Sequence, residues 1–85
     1  MKIADRLLPY VAAAGGQAAF GRVIGASQPM VHKILMGVTP GPELCVAIEM
    51  YTNGGLPRPI LRPNDWYRIW PELREKYPDL LPANP

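Results

Sequence analysis

Apolar positions in the first 55 residues recur at the spacing of amphipathic helices. Four segments follow this period and are separated by glycine, serine or proline: residues 3–14, 17–24, 28–36 and 42–51. Gly15 and Gly25 follow the first two segments, where glycine takes the left-handed backbone that ends helices. Ser27 can cap the third helix through its hydroxyl, with Pro29 in the first turn. The pattern therefore predicts an all-α fold.

The first and fourth predicted helices each leave a detail open. Pro9 either kinks the first helix or lies near its first turn, if the regular part begins late. The fourth helix opens at Pro42 or Glu43 and runs through residue 51. Cys45 lies among apolar neighbours, so we interpret it as a small buried hydrophobe. The residues of this helix that we expect to point inward are Leu44, Ile48 and Tyr51.

The link between the second and third helices is too short for an antiparallel hairpin and forces a sharp crossing. Gly25 supplies the positive φ that such a turn needs. Gly21 provides the small residue that lets the two helices approach. The apolar contact set of the crossing is Phe20, Ile24, Ala26, Val31 and Ile34. This pattern is typical of a helix-turn-helix.

The third helix has two faces that do not interleave at about 100° per residue. The core face carries Met30, Val31, Ile34 and Leu35, and the other face carries Gln28, Pro29, His32 and Lys33. In a helix-turn-helix this second face meets the major groove. Gln28 suits adenine, His32 and Lys33 suit guanine or phosphate, and Pro29 offers apolar contact. The alternative for each residue is ordinary solvated surface.

Residues outside this face complete the predicted DNA contacts. Phosphate contacts are expected from Gln17 at the amide end of the second helix, and from Arg22, Ser27 and Thr39. Met36 is expected to cover the end of the third helix instead of reading a base.

The remainder of the chain is rich in proline, with nine of the 11 prolines after residue 39. We expect residues 56–61 to be extended, a short helix capped by Asn64 or Asp65 to run through Trp70, and Pro71 to end it or start the next turn. Trp66 and Trp70 share a face that packs back on the core or lies at a dimer interface. The predicted divisions are a DNA-binding core (1–55), a C-terminal extension (56–77) and a flexible tail (78–85).

Composition and charge narrow the function. A chain of 85 residues with 48% hydrophobic residues is one small folded domain. The net charge is +2, but residues 1–42 carry +3, with no acidic residue between Asp5 and Glu43. That excess suits a polyanion, although three charges can also arise by chance. His32 and Cys45 are too few for a zinc site, and no cofactor, metal, disulfide, membrane span, secretion signal or catalytic group is expected.

The sequence also resembles a known family. Residues 17–27 (QAAFGRVIGAS) resemble the helix-turn-helix of Cro-like prophage repressors. Residues 42–49 (PELCVAIE) and 61–73 (LRPNDWYRIWPEL) are similar to the rest of that group, which includes the antitoxin-like YdaS-type proteins. The resemblance covers about residues 3–74 and implies a lambda-repressor-like helical domain that regulates transcription. Gly21 and Pro29 depart from the family, where alanine and polar residues are commoner, so the family's base preference does not transfer at Pro29.

Together these features predict a sequence-specific regulator that binds a double-stranded DNA operator as a homodimer or larger homo-oligomer. It would be cytoplasmic, and associated with the nucleoid when bound. The alternative is a protein-binding module, such as an antitoxin-type partner of a toxin or another regulator. That module would act through Trp66, Trp70 and the proline-rich tail, with DNA binding secondary.

Overall fold

The computed structural model describes residues 2–82, and every regular element in that range is helical. The four longer helices are α1 (Ile3–Ala14), α2 (Gln17–Ile24), α3 (Gln28–Leu35) and α4 (Pro42–Tyr51). Two single-turn helices follow, α5 (Arg58–Leu61) and α6 (Trp66–Ile69), and then 3-10 turns at Pro71–Arg74 and Pro78–Leu80. The predicted all-α fold with a helix-turn-helix is confirmed.

The predicted helix ends are present. Gly15 ends α1 with a φ of 107°, and Gly25 ends α2 with a φ of 80°. The Ser27 hydroxyl oxygen caps α3 by accepting a hydrogen bond from the backbone N–H of Met30 at 3.2 Å. Pro29 lies in the first turn of that helix, where its missing N–H costs little. These stops and caps therefore follow from local chemistry.

Pro9 lies inside α1, which begins six residues earlier at Ile3. The alternative in which the regular helix begins late is therefore wrong. Pro9 is on the exposed side, while Leu7 and Val11 of the same helix are buried in the core.

One main core joins the first five helices. Its buried members are Leu7, Val11, Phe20, Ile24, Val31, Ile34, Cys45, Ile48, Leu56 and Leu61. Cys45 is fully buried, as predicted. Tyr51, however, does not point inward: it is 41% exposed, and its ring meets Phe20 edge-on at 5.6 Å between centroids. The reason is angular, because the buried face of α4 centres on Cys45 and Ile48 and Tyr51 lies at its rim.

The segment predicted to be extended, 56–61, contains α5. Proline is tolerated here because Pro59 lies in the first turn, where its missing N–H is not needed. The backbone N–H of Arg58 at the helix start donates to Glu49 Oε2 at 2.9 Å. This carboxylate, nine residues away, supplies a cap that the segment's own residues do not provide. The expectation of an extended segment was therefore wrong for residues 58–61, whereas Pro57 before them has extended backbone.

The next helix is not capped as predicted. Asp65 precedes α6 but forms no side-chain cap, because its carboxylate binds the Arg62 guanidinium. Pro71 opens the following 3-10 turn, one of the two outcomes expected for it.

The tryptophans pack within the chain. Trp66 is fully buried in a second, smaller cluster with Tyr67 and Leu73, and Trp70 lies against both clusters. Trp66 is therefore buried within the extension's own cluster, and Trp70 is the tryptophan that packs back on the main core. In the predicted tail, Pro78–Leu80 forms a turn and Leu81 packs on the second cluster, while residues 83–85 lie outside the described range. The proposed division at residues 55 and 77 stays a prediction.

Candidate nucleic-acid interface

The crossing of α2 and α3 depends on the absence of a side chain at Gly21. This glycine is buried, and a methyl group there would overlap the backbone carbonyl oxygen of Ala26 and lie 3.4 Å from Val31 Cγ2. The N–H of Ala26 in turn donates to the Gly21 carbonyl at 2.8 Å. The predicted role of Gly21 is confirmed. The atom that a side chain there would meet first, however, belongs to the turn at Ala26 and not to α3.

The two faces of α3 separate as their helical angles predict. Val31 and Ile34 are buried in the core, and Met30 and Leu35 pack against it. The side chains of the opposite face are all exposed: Gln28, Pro29, His32 and Lys33. The motif thus presents a solvent-exposed strip, formed by three polar side chains and Pro29. Its contact with DNA stays a prediction.

Met36 extends this strip and does not cover the helix end. Its side chain is 73% exposed, one turn beyond His32 on the same side. The backbone closes the end by itself, because the N–H groups of Gly37 and Val38 donate to Ile34 and Lys33 carbonyls at 3.1 and 2.9 Å. The expectation for Met36 was therefore wrong. Its helical angle of about 80°, between His32 and Pro29, was the available signal.

The predicted phosphate-contact residues lie on α2, at the start of α3 and in the loop after α3. Ser27 caps its first turn, and Thr39 lies exposed in the loop that follows it. Arg22 is exposed in the last turn of α2, which packs along α3. Gln17 is half-buried at the start of α2, where the Gly16 cap has no side chain to occupy the free N–H groups. The structure thus leaves Arg22, Ser27 and Thr39 exposed, while Gln17 is half-buried.

The charges on this surface are not neutralised locally. Within residues 2–82 the ion pairs are Arg58 with Glu49 and Arg62 with Asp65, both in the second half of the chain. Arg22 and Lys33 enter no such pair in that range. Their charges are therefore available to an anionic partner.

Sequence reasoning missed one contact beside this surface. Arg62 Nη1 donates to the carbonyl oxygen of Pro40, in the loop after α3, at 2.7 Å. The same guanidinium donates to both carboxylate oxygens of Asp65, at 2.9 and 2.7 Å. This hydrogen bonding holds the pKa of Asp65 below its ordinary value. The i, i+3 spacing of arginine and aspartate was a visible signal for the ion pair, but nothing in the sequence indicated the loop.

Among the described residues, His, Cys, Asp and Glu side chains form no group of three suited to a metal ion. No helix in the same range is long and apolar enough to cross a membrane.

Two packed helices joined by a tight turn, with a solvated face on the second, define a helix-turn-helix protein. The chain is similar to the Escherichia coli (strain K12) protein named Putative transcriptional regulator YdaS, with 44% identity over 57 residues. The match covers 65% of this chain and 58% of that protein, so the chain spans less than two thirds of its relative's length. The resemblance to YdaS-type regulators is confirmed. No family model matches the chain, and no solved structure matches it significantly.

Proposed function

We propose that this protein is a transcriptional regulator that binds double-stranded DNA and reads the major groove with α3. The observation that carries the proposal is the solvated strip on α3, held outward by the Gly21 crossing. The similarity to a protein named as a transcriptional regulator supports it. A role as a Cro-like repressor of prophage origin, acting in the cytoplasm on the nucleoid, is part of the same proposal.

Each residue of the strip has a role set by its chemistry. The amide of Gln28, at the start of α3, bonds adenine N6 and N7 together, and His32 and Lys33 donate to guanine or to phosphate. Pro29 has no N–H and makes apolar contact. Met36, exposed at the far end, adds a second apolar contact suited to the methyl group of thymine.

Phosphate contacts orient the protein on the duplex. We assign these contacts to the N–H groups around Gln17 and to the side chains of Arg22, Ser27 and Thr39. The oxygen of Ser27 accepts from Met30, so its hydroxyl hydrogen is the part available to a phosphate.

We further propose that the protein acts as a homodimer or larger symmetric oligomer. One recognition helix reads only a few base pairs, and a basic excess of +3 neutralises few phosphates. Two copies about 34 Å apart along the duplex would double the number of base pairs read and the number of phosphates neutralised. Such a pair requires a roughly palindromic operator.

The experiment that tests this function is a selection of genomic DNA fragments on the immobilised protein at a stated salt concentration. The retained fragments are sequenced and then bound to the free protein in solution. Recovery of a common palindromic sequence, bound more weakly as salt rises, is the expected result. Retention of no sequence above the input frequency would refute the proposal.

The alternative of a protein-binding module has less support in the tertiary structure. That function would use Trp66 and Trp70 as anchors, but Trp66 is fully buried and Trp70 is half-buried. The guanidinium carbon of Arg58 also lies over the Trp70 ring, 5.0 Å from the ring centroid. Binding of a toxin or another regulator therefore stays a prediction, and the two tryptophans do not form an exposed pair that would support it.

A further inference from the structure

We infer that Arg62, in the C-terminal extension, is a positioning residue for DNA binding. It holds the loop after α3, residues 36–41, in the conformation that presents Thr39 to a phosphate. This inference rests on the proposed function and extends it to a residue outside the helix-turn-helix.

The geometry around Arg62 restrains the guanidinium on two sides. The Asp65 carboxylate receives two hydrogen bonds from Nε and Nη2, a bidentate arrangement that fixes the guanidinium plane. The remaining terminal nitrogen, Nη1, donates to the Pro40 carbonyl at 2.7 Å, across 22 residues of sequence. The aspartate thus orients the arginine, and the arginine holds the loop.

The Pro40 carbonyl is an anchor for this loop. Pro40 is buried, and its oxygen also accepts a weak hydrogen bond from Cys45 Sγ at 3.5 Å. Proline has no N–H, so the carbonyl is the only backbone hydrogen-bonding group this residue offers. Thr39, the residue before it, is exposed on the outer side. Release of the Pro40 carbonyl would therefore move Thr39 directly.

The same extension contains a matched control. Arg58 pairs with Glu49 at 3.1 Å, and its side chain is 19% exposed, against 20% for Arg62. Arg58 joins α5 to α4 and stacks on Trp70, and its hydrogen bonds go to Glu49. Loss of Arg58 would therefore remove a similarly buried ion pair from the extension without releasing the loop.

The test compares Arg62→Ala and Arg58→Ala, each with Thr39 present and with Thr39→Ala. Affinity is measured for the DNA fragment recovered by selection, at fixed salt, together with the Tm of each variant. Arg62→Ala is expected to weaken binding about 2- to 10-fold, the range for loss of one hydrogen bond. In the Thr39→Ala background the same change should have little further effect. Arg58→Ala should change affinity by the same factor in both backgrounds.

Two milder variants keep the test decisive if Arg62→Ala does not fold. Arg62→Lys retains a donor for Pro40 and should recover part of the affinity, and Asp65→Asn should loosen Arg62 and lose part of it. In the free protein, the NMR amide signals of Thr39 and Gly41 should shift in the Arg62 variants and stay unchanged in Arg58→Ala.

The outcomes distinguish failure of the positioning role of Arg62 from failure of the proposed DNA-binding function. If the parent binds no duplex, the proposed function and the positioning role both fail. If the parent binds, but Arg62 variants lose the same factor with and without Thr39, then Arg62 acts only through general stability and the inference is overturned. Unchanged Thr39 and Gly41 amide signals in Arg62→Lys and Arg62→Ala would overturn it as well.

Discussion

Gly21 and Ala26 are in direct backbone contact, so the turn of the helix-turn-helix closes on the helix before it. The Ala26 N–H donates to the Gly21 carbonyl at 2.8 Å, and the Ala26 carbonyl oxygen occupies the space that a Cβ of residue 21 would need. Any side chain at position 21 must therefore displace backbone. The nearest obstacle is backbone, and not the end of a flexible side chain that could move aside.

Gly21→Ala and Gly21→Leu are both expected to destabilise the protein, by ~1–3 kcal/mol or more, because a packed crossing cannot absorb the added volume. Chemical denaturation monitored by circular dichroism measures this free energy of unfolding. Gly41→Ala is the control, since φ at Gly41 is −64° and a Cβ there meets nothing within 4 Å. Parental stability in Gly21→Leu would contradict the described crossing.

Gln28→Ala and Lys33→Ala should each weaken operator binding while leaving the Tm nearly unchanged, because both side chains are exposed. Loss of a bidentate base contact at Gln28 costs about 1–3 kcal/mol of discrimination. Loss of Lys33, if it meets phosphate, should also lower the salt dependence of binding. Met50→Ala, 74% exposed on α4, is the matched surface control. Parental affinity in both α3 variants would show that this face does not read DNA.

Met36→Ala should lower affinity for operators with a thymine at the outer end of the half-site. Burial of one methyl group contributes about 0.8 kcal/mol, which is roughly fourfold in binding. Operators with deoxyuridine at that position lack the methyl group, so parent and Met36→Ala should bind them equally. Pro29→Ala tests the other proposed apolar contact, and its loss of affinity should depend on a thymine at a different position of the operator. An equal loss on thymine and deoxyuridine DNA would exclude a methyl contact by Met36.

Sedimentation should show two copies of the protein on a palindromic operator fragment. A fragment with one half-site should bind weakly at physiological salt, because one subunit neutralises few phosphates. Insertion of five base pairs between half-sites would turn them to opposite sides of the duplex and should abolish paired binding. A tight one-to-one complex on a single half-site would argue against a symmetric assembly.

The Cys45 thiol should be inert in the native protein. Burial raises its pKa to about 11 from 9.0, so the reactive thiolate is scarce at pH 8. A colorimetric thiol reagent should therefore react fully only after unfolding. Because the unfolded thiol ionises first, native stability should fall as pH rises from about 9 towards 11. Cys45→Ala should remove the part of that pH dependence due to this group, and rapid labelling of the folded protein at pH 8 would refute the burial.

Local chemistry made the helix-turn-helix predictable from sequence. Gly25 and Ser27 act on backbone groups within four residues, and the faces of α3 follow from helical angle alone. Candidate DNA contacts followed in the same way, because exposure on that helix is a matter of periodicity. The predicted roles themselves await the binding measurements.

Contacts between distant residues decided the rest. Glu49 caps α5 from nine residues away, so the start of this proline-rich helix is stabilised by a side chain outside the segment. Arg62 reaches the Pro40 carbonyl across 22 residues. Sequence patterns report which residues share a helix face, but a carboxylate or guanidinium finds its distant partner only when the packed core brings the two chain segments together.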